Sequence, residues 1–136
     1  MSITSTYVFS IVVTASILLG LSGCNLCSEE IVQSTTNPTG HVTGIIHVRN
    51  CGATTDYVTF VRLHSVKHRP DLDSGEGLVF AIVGRHDVRL CWTEPETLTL
   101  KCTNCQGGAV VLRKMARWSN IRIQYDFAPT DRHRDN

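Results

Sequence analysis

Apolar and polar positions alternate along most of this chain with a period of two, the spacing of a strand with one buried and one wet face. Ile31 and Val32 lie in SEEIVQSTT, and the turn residues NPTG follow. HVTGIIHVRN then places Val42, Ile46 and Val48 on one side and Thr43, Ile45 and His47 on the other. In DYVTFVRLHSV, Tyr57, Thr59, Val61 and Leu63 oppose Val58, Phe60, Arg62 and His64. The polar run KHRPDLDSGEG reads as an exposed loop, and LVFAIV as a strand buried on both faces. DVRLCWTEPETLTLKC is the clearest hairpin, with Val88, Leu90, Trp92, Leu98, Leu100 and Cys102 on one face around a turn at Pro95. AVVLRKMARW fits either a strand or a short helix near residues 109–118, and IRIQYDF closes the pattern as a strand. These elements predict a single small antiparallel all-β domain over residues 28–127, a sandwich or a curled meander. Residues 128–136 have nothing apolar to pack and read as a disordered tail.

The first residues obey a different pattern. Val8 to Leu21 is an uncharged apolar run of signal-peptide length, short for a bilayer span of about 20 residues. It ends in Leu21-Ser22-Gly23-Cys24, which resembles the lipobox of bacterial lipoproteins. That resemblance implies a signal peptide over residues 1–23, cleavage before Cys24, a lipid on its sulfur, and a tether over residues 24–27. It also implies a cell-envelope location, with the membrane as a partner through the lipid. Asn25 after the cysteine implies outer-membrane sorting, facing the periplasm, in a Gram-negative organism. Met1 to Tyr7 departs from the usual signal pattern in lacking any Lys or Arg.

Composition narrows the function classes. The formal net charge is +1 with 18% charged residues, so nothing argues for a nucleic-acid partner. His41, His47, His64, His68, His86 and His133 form no metalloprotease or haem-attachment spacing. His47 and His64 are expected as a surface pair across strands. Asp71, Asp73 and Glu76 lack the spacing of a calcium loop and read as a solvated acidic turn. Trp92 and Trp118 read as core anchors. No catalytic residue, enzyme activity, metal or cofactor is predicted.

Five cysteines remain once Cys24 is set aside, and an exported domain is where disulfides persist. A turn centred on Thr39 places Cys27 and Cys51 equally far to either side, facing one another across the hairpin. Centring the second hairpin on Pro95 puts Cys91 opposite Thr99, so Cys91 cannot face Cys102. A local Cys102–Cys105 disulfide then leaves Cys91 as the free thiol. Two sharper readings compete for the Cys102-Thr-Asn-Cys105 motif. One is thiol-redox chemistry, and the other is a metal site in which Cys24/Cys27 and Cys102/Cys105 act as two C-x-x-C knuckles.

The stretch Asn50-Cys51-Gly52-Ala53-Thr54-Thr55, with GLVF, VRLCWTEPETLTLKC and IRIQY downstream, resembles a family of small uncharacterised bacterial lipoproteins and exported proteins marked by Cys-Gly-Ala-Thr-Thr. It implies an envelope protein and carries over no catalytic residue. The resulting expectation is a non-catalytic binding or accessory module that meets an envelope protein or the cell wall through an exposed strand edge. The alternative is a thiol-redox or metal-binding envelope protein using Cys102 and Cys105. The Cys-Gly-Ala-Thr-Thr corner itself reads as a structural joint, its threonine hydroxyls bonding the amides of the turn.

Overall fold

A computed structural model describes residues 27–128. The expectations for the signal peptide, Cys24 and Asn25 fall outside the described residues, as does the tail beyond Ala128.

The described chain is all-β, in two facing sheets. The first holds β1 (Ser28–Thr36), β2 (Val42–Asn50), β3 (Val58–Ser65), β4 (Leu78–Val83) and β7 (Val111–Lys114), in the order β1-β2-β3-β4-β7. The second holds β5 (Asp87–Glu94), β6 (Thr97–Thr103), β9 (Ile121–Ala128) and β8 (Arg117–Trp118), in the order β5-β6-β9-β8. Their inner faces bury Ile46, Val61, Leu63, Phe80 and Ile82 against Val88, Leu90, Leu98, Leu100, Ile121 and Ile123. Trp92 and Trp118 pack partly buried on this core, as anchors. Val79, Phe80, Ala81 and Ile82 are each buried, so β4 is covered on both faces as its continuous apolar run predicts.

Three expectations are corrected. Residues 109–118 contain no helix, because Ala81 and Ile82 of β4 pair with Arg113 and Val111, and the chain then turns back through β8. The two-residue connection from β8 to β9 holds Ser119 at φ 52°, a left-handed turn that a helix would not pass through. The domain is also not wholly antiparallel. After β6 the chain crosses to the first sheet for β7 and returns, so β9 enters beside β6 in the parallel direction, from Thr97↔Arg122 to Thr103↔Ala128. The same pairing places Ala128, expected in the tail, inside a strand.

The first hairpin is closed by a Cys27–Cys51 disulfide. Near its turn Thr36 faces Thr43, a register that would bring Gly52 opposite Cys27. A bulge between Ile31 and Gln33 absorbs one residue, so that Ser28 faces Asn50 and the two cysteines meet. A loop of this size corresponds to about 3 kcal/mol in the chain-entropy model. The corner beyond it is held by Gly52 N donating to Asn50 Oδ1 and by Thr55, whose N and Oγ1 both donate to Gly52 O. Thr55 therefore bonds the turn's carbonyl, where an amide had been expected.

Candidate functional site

Two polar constellations and one strand edge stand out from this frame. The first constellation lies on the outer face of the first sheet. Register brings Glu29 opposite Arg49, and His47 opposite Ile31 on one side and Phe60 on the other. Side-chain parity therefore points Glu29, His47, Arg49, Phe60 and Arg62 away from the sandwich core. They are not left in water, because residues 66–77 fold back over them. Arg62 donates Nη1 to Glu76 O at 2.9 Å and Nη2 to Leu72 O at 2.9 Å, and Arg49 donates to Leu72 O at 3.1 Å and to Asp73 Oδ1 at 2.7 Å. The loop returns to β4 through Gly77, at φ 66°, where a Cβ would stand 2.1 Å from Leu63 O. Only glycine passes so close to that strand.

His47 is the centre of the cluster and is fully buried. Arg62 Nε donates to its Nε2 at 3.0 Å, which makes Nε2 the acceptor and Nδ1 the protonated nitrogen. Nδ1 then donates to Glu29 Oε2 at 2.6 Å, while Arg49 holds the other carboxylate oxygen. The ring stacks on Phe60, their centroids 5.0 Å apart. A carboxylate-bound imidazole can act as a general base when its second nitrogen faces substrate. Here that nitrogen is closed by a guanidinium, so the dyad is structural. The expected surface pair of His47 and His64 is also corrected: His47 faces Phe60, and His64 faces Thr43.

Burial is the main influence on His47 and holds its pKa below the ordinary 6.5, outweighing the opposing effect of the hydrogen bond it donates to Glu29. The unfolded chain thus binds a proton below pH 6.5 that the folded chain resists. This histidine's contribution to stability is complete above that pH and declines as pH falls through the lowered folded value. Denaturant midpoints at about pH 7.5 and about pH 5.5 should therefore drop more in the wild type than in His47→Gln, which keeps an amide between Glu29 and Arg62 but does not titrate. Equal drops in both proteins would refute this role.

The second constellation sits where β4 turns into β5, against the exit of β6. Cys102 and Cys105 form a disulfide and are almost fully buried, at 2% and 5% exposure. A ring nitrogen of His86 and the two sulfurs lie within 4.8 Å of one another. Among the described residues, these three could together hold a metal once the sulfurs are thiols. Cys27 cannot join them as a second knuckle, since it is bonded to Cys51. Cys91 is the free cysteine among the described residues, exposed and opposite Thr99 as the hairpin register predicts. Spacing within the sequence gave no hint of His86, which reaches the motif through the β4–β5 corner.

The edges of the sheets differ in how they are protected. The Gln33 side chain donates to Leu90 O at 3.0 Å and accepts from Leu90 N at 2.9 Å, covering the outer edge of β5 with an amide. The bulge in β1 bends that strand's own edge. β8 has two residues. β7 is the terminal strand of its sheet among the described residues, and at its start Val110, Val111 and Leu112 are 57%, 39% and 58% exposed.

No family model, curated protein or solved structure matches this chain. Residue roles therefore rest on its own geometry.

Proposed function

We propose that the protein is a non-catalytic binding module of the bacterial envelope, lipid-anchored through Cys24, which captures an extended segment of an envelope partner along the free edge of β7. The supporting observation is the exposed apolar run on a terminal strand. Val110, Val111 and Leu112 stand exposed on a terminal strand that has no side-chain cover of the kind Gln33 gives β5, and a bulge at Leu112, where Ala81 and Ile82 face Arg113 and Val111, leaves the rest of the strand regularly paired. An edge of this kind is the template for strand addition, with backbone hydrogen bonds supplying affinity and alternate side chains supplying choice. The closed Glu29–His47–Arg62 cluster supports the non-catalytic half of the reading.

The test is site-specific photo-crosslinking in intact cells. A photoreactive residue at position 112 should give a discrete adduct that one at Arg89, exposed on the other sheet, does not give. Val110→Lys should lower the adduct yield about tenfold, equivalent to about 1.4 kcal/mol for a lost apolar anchor. Similar adducts from both positions, or none from 112, would rule the edge out. Palmitate labelling of the wild type and Cys24→Ser examines the anchor in the same cells: label should disappear from the variant, and equal labelling ends the lipid reading.

A further inference from the structure

The His86, Cys102 and Cys105 cluster lies just past the end of β4, where Val83 N donates to Val110 O and Val83 O faces the His86 ring, and it contains a complete soft donor set. Two thiols at C-x-x-C spacing chelate from one turn, and an imidazole from another segment completes three ligands. The histidine is prepared for this task in two ways. Its Nε2 lies 2.8 Å from Val83 O, and a carbonyl can only accept, so Nε2 carries the proton and Nδ1 keeps its lone pair. Donation of one ring N–H to a carbonyl is the arrangement that orients metal-binding imidazoles. The backbone is fixed too: Thr59 Oγ1 accepts from His86 N at 3.2 Å and donates to Gly84 O at 2.7 Å. Gly84, at φ 103°, lets the ring lie back over the corner, where a Cβ would stand 2.9 Å from His86 Nε2.

We propose that these residues form a redox-gated site for one Cu(I) ion, open when Cys102 and Cys105 are thiols and closed when they are a disulfide. Two thiolates and an imidazole suit a soft three-coordinate cation, whereas Zn²⁺ is four-coordinate and, with no fourth His, Cys, Asp or Glu in the cluster among the described residues, would have to complete its shell with water. Cys102 lines a cleft of about 310 Å³ with Asp87, Thr103 and Asp126, which admits a small dithiol reductant. In the opening step the Cys102–Cys105 S–S bond breaks and two S–H bonds form. The two electrons and two protons come from the reductant, whose own two thiols become a disulfide. In the loading step Cu(I) binds as the two S–H groups release their protons to water. No electron moves in that step.

The experiment uses the mature chain with Cys24→Ser and Cys91→Ser, so that neither thiol outside the two disulfides can compete. The protein is reduced with a dithiol, desalted without oxygen and titrated with Cu(I) against a competing chelator. The reduced form should bind one equivalent and the disulfide form none. X-ray absorption of the loaded protein should show sulfur and nitrogen neighbours. His86→Ala should weaken binding at least about tenfold, with nitrogen lost from the spectrum, and Gly84→Ala should weaken it by displacing the ring. Circular dichroism of each variant separates lost ligation from lost fold. A Cys102→Ser/Cys105→Ser variant, also reduced, reports what Cys27 and Cys51 bind alone and should take up no Cu(I) at the same chelator concentration. Failure of the reduced protein to bind Cu(I), unchanged uptake in the double serine variant, unchanged affinity in His86→Ala, or preference for Zn²⁺ over Cu(I) would each overturn the proposal. None of these results bears on crosslinking at position 112.

Discussion

Phe80→Ala should destabilise the domain by about 3–5 kcal/mol, read as a lower denaturant midpoint at an unchanged slope. Phe80 is fully buried on β4, paired with Val61 of β3 in its own sheet. Its ring lies 5.7 Å from Tyr125 and 5.8 Å from Phe127, both on β9 of the other sheet. The side chain therefore joins the two layers at one point, and truncating it opens a void between them that neither sheet can close without sliding on the other. Tyr125 is held in place by donating to Met115 O at 2.6 Å, which limits its movement into the gap. Domains of this kind have about 5–15 kcal/mol in total, so the variant should be partly unfolded near body temperature. Phe80→Leu, which refills most of the volume, should lose about 1 kcal/mol. Tyr57→Ala, at a site 42% exposed, should stay within about 0.5 kcal/mol of wild type. A Phe80→Ala protein within about 1 kcal/mol of wild type would show that the sheets are not coupled through this ring.

Local periodicity and turn position made much of this architecture legible. Centring the second hairpin on Pro95 puts Val88 against Cys102 and Cys91 against Thr99, and both pairs are found. The Cys27–Cys51 pair followed from a turn at Thr39, yet the register at that turn differs by one residue, and the bulge between Ile31 and Gln33 restores it. Bulges leave no mark in an alternating pattern beyond an extra residue. Parity also placed Ile45, His47, Phe60 and Arg62 on the face away from the core. It could not reveal that residues 66–77 cover that face, because a covering loop is itself polar and reads as solvated. The signal present was compositional: Ile45 and Phe60 are apolar where a wet face would be polar. The parallel β6–β9 pairing and the approach of His86 to Cys102 are long-range, set by which edges remain open after the hairpins form, and no local spacing encodes them.

Arg62→Met should cost about 3 kcal/mol and release the loop over the outer face. Arg62 is 3% exposed, and each part of its guanidinium has a partner: Nε on His47, Nη1 on Glu76 O and Nη2 on Leu72 O. Methionine keeps an apolar stem of similar reach, so the change removes donors more than volume. Glu76 O and His47 Nε2 then lose their buried partners, at about 1–3 kcal/mol each. Leu72 O retains Arg49 Nη2 at 3.1 Å, so the loop is weakened at one end before the other. The freed His47 nitrogen would also become a site for a proton beside Glu29, raising the histidine's pKa and flattening the loss of stability toward low pH. Limited proteolysis should cut residues 66–77 faster in the variant while the strands persist, because the loop's attachments are polar and the sandwich core lies on the other side of the sheet. Arg49→Met is the control. Its side chain is 25% exposed and pairs with Asp73 near solvent, so its loss should stay below about 1 kcal/mol. If Arg62→Met falls within about 0.5 kcal/mol of wild type with unchanged cleavage, the loop is held by something other than this guanidinium.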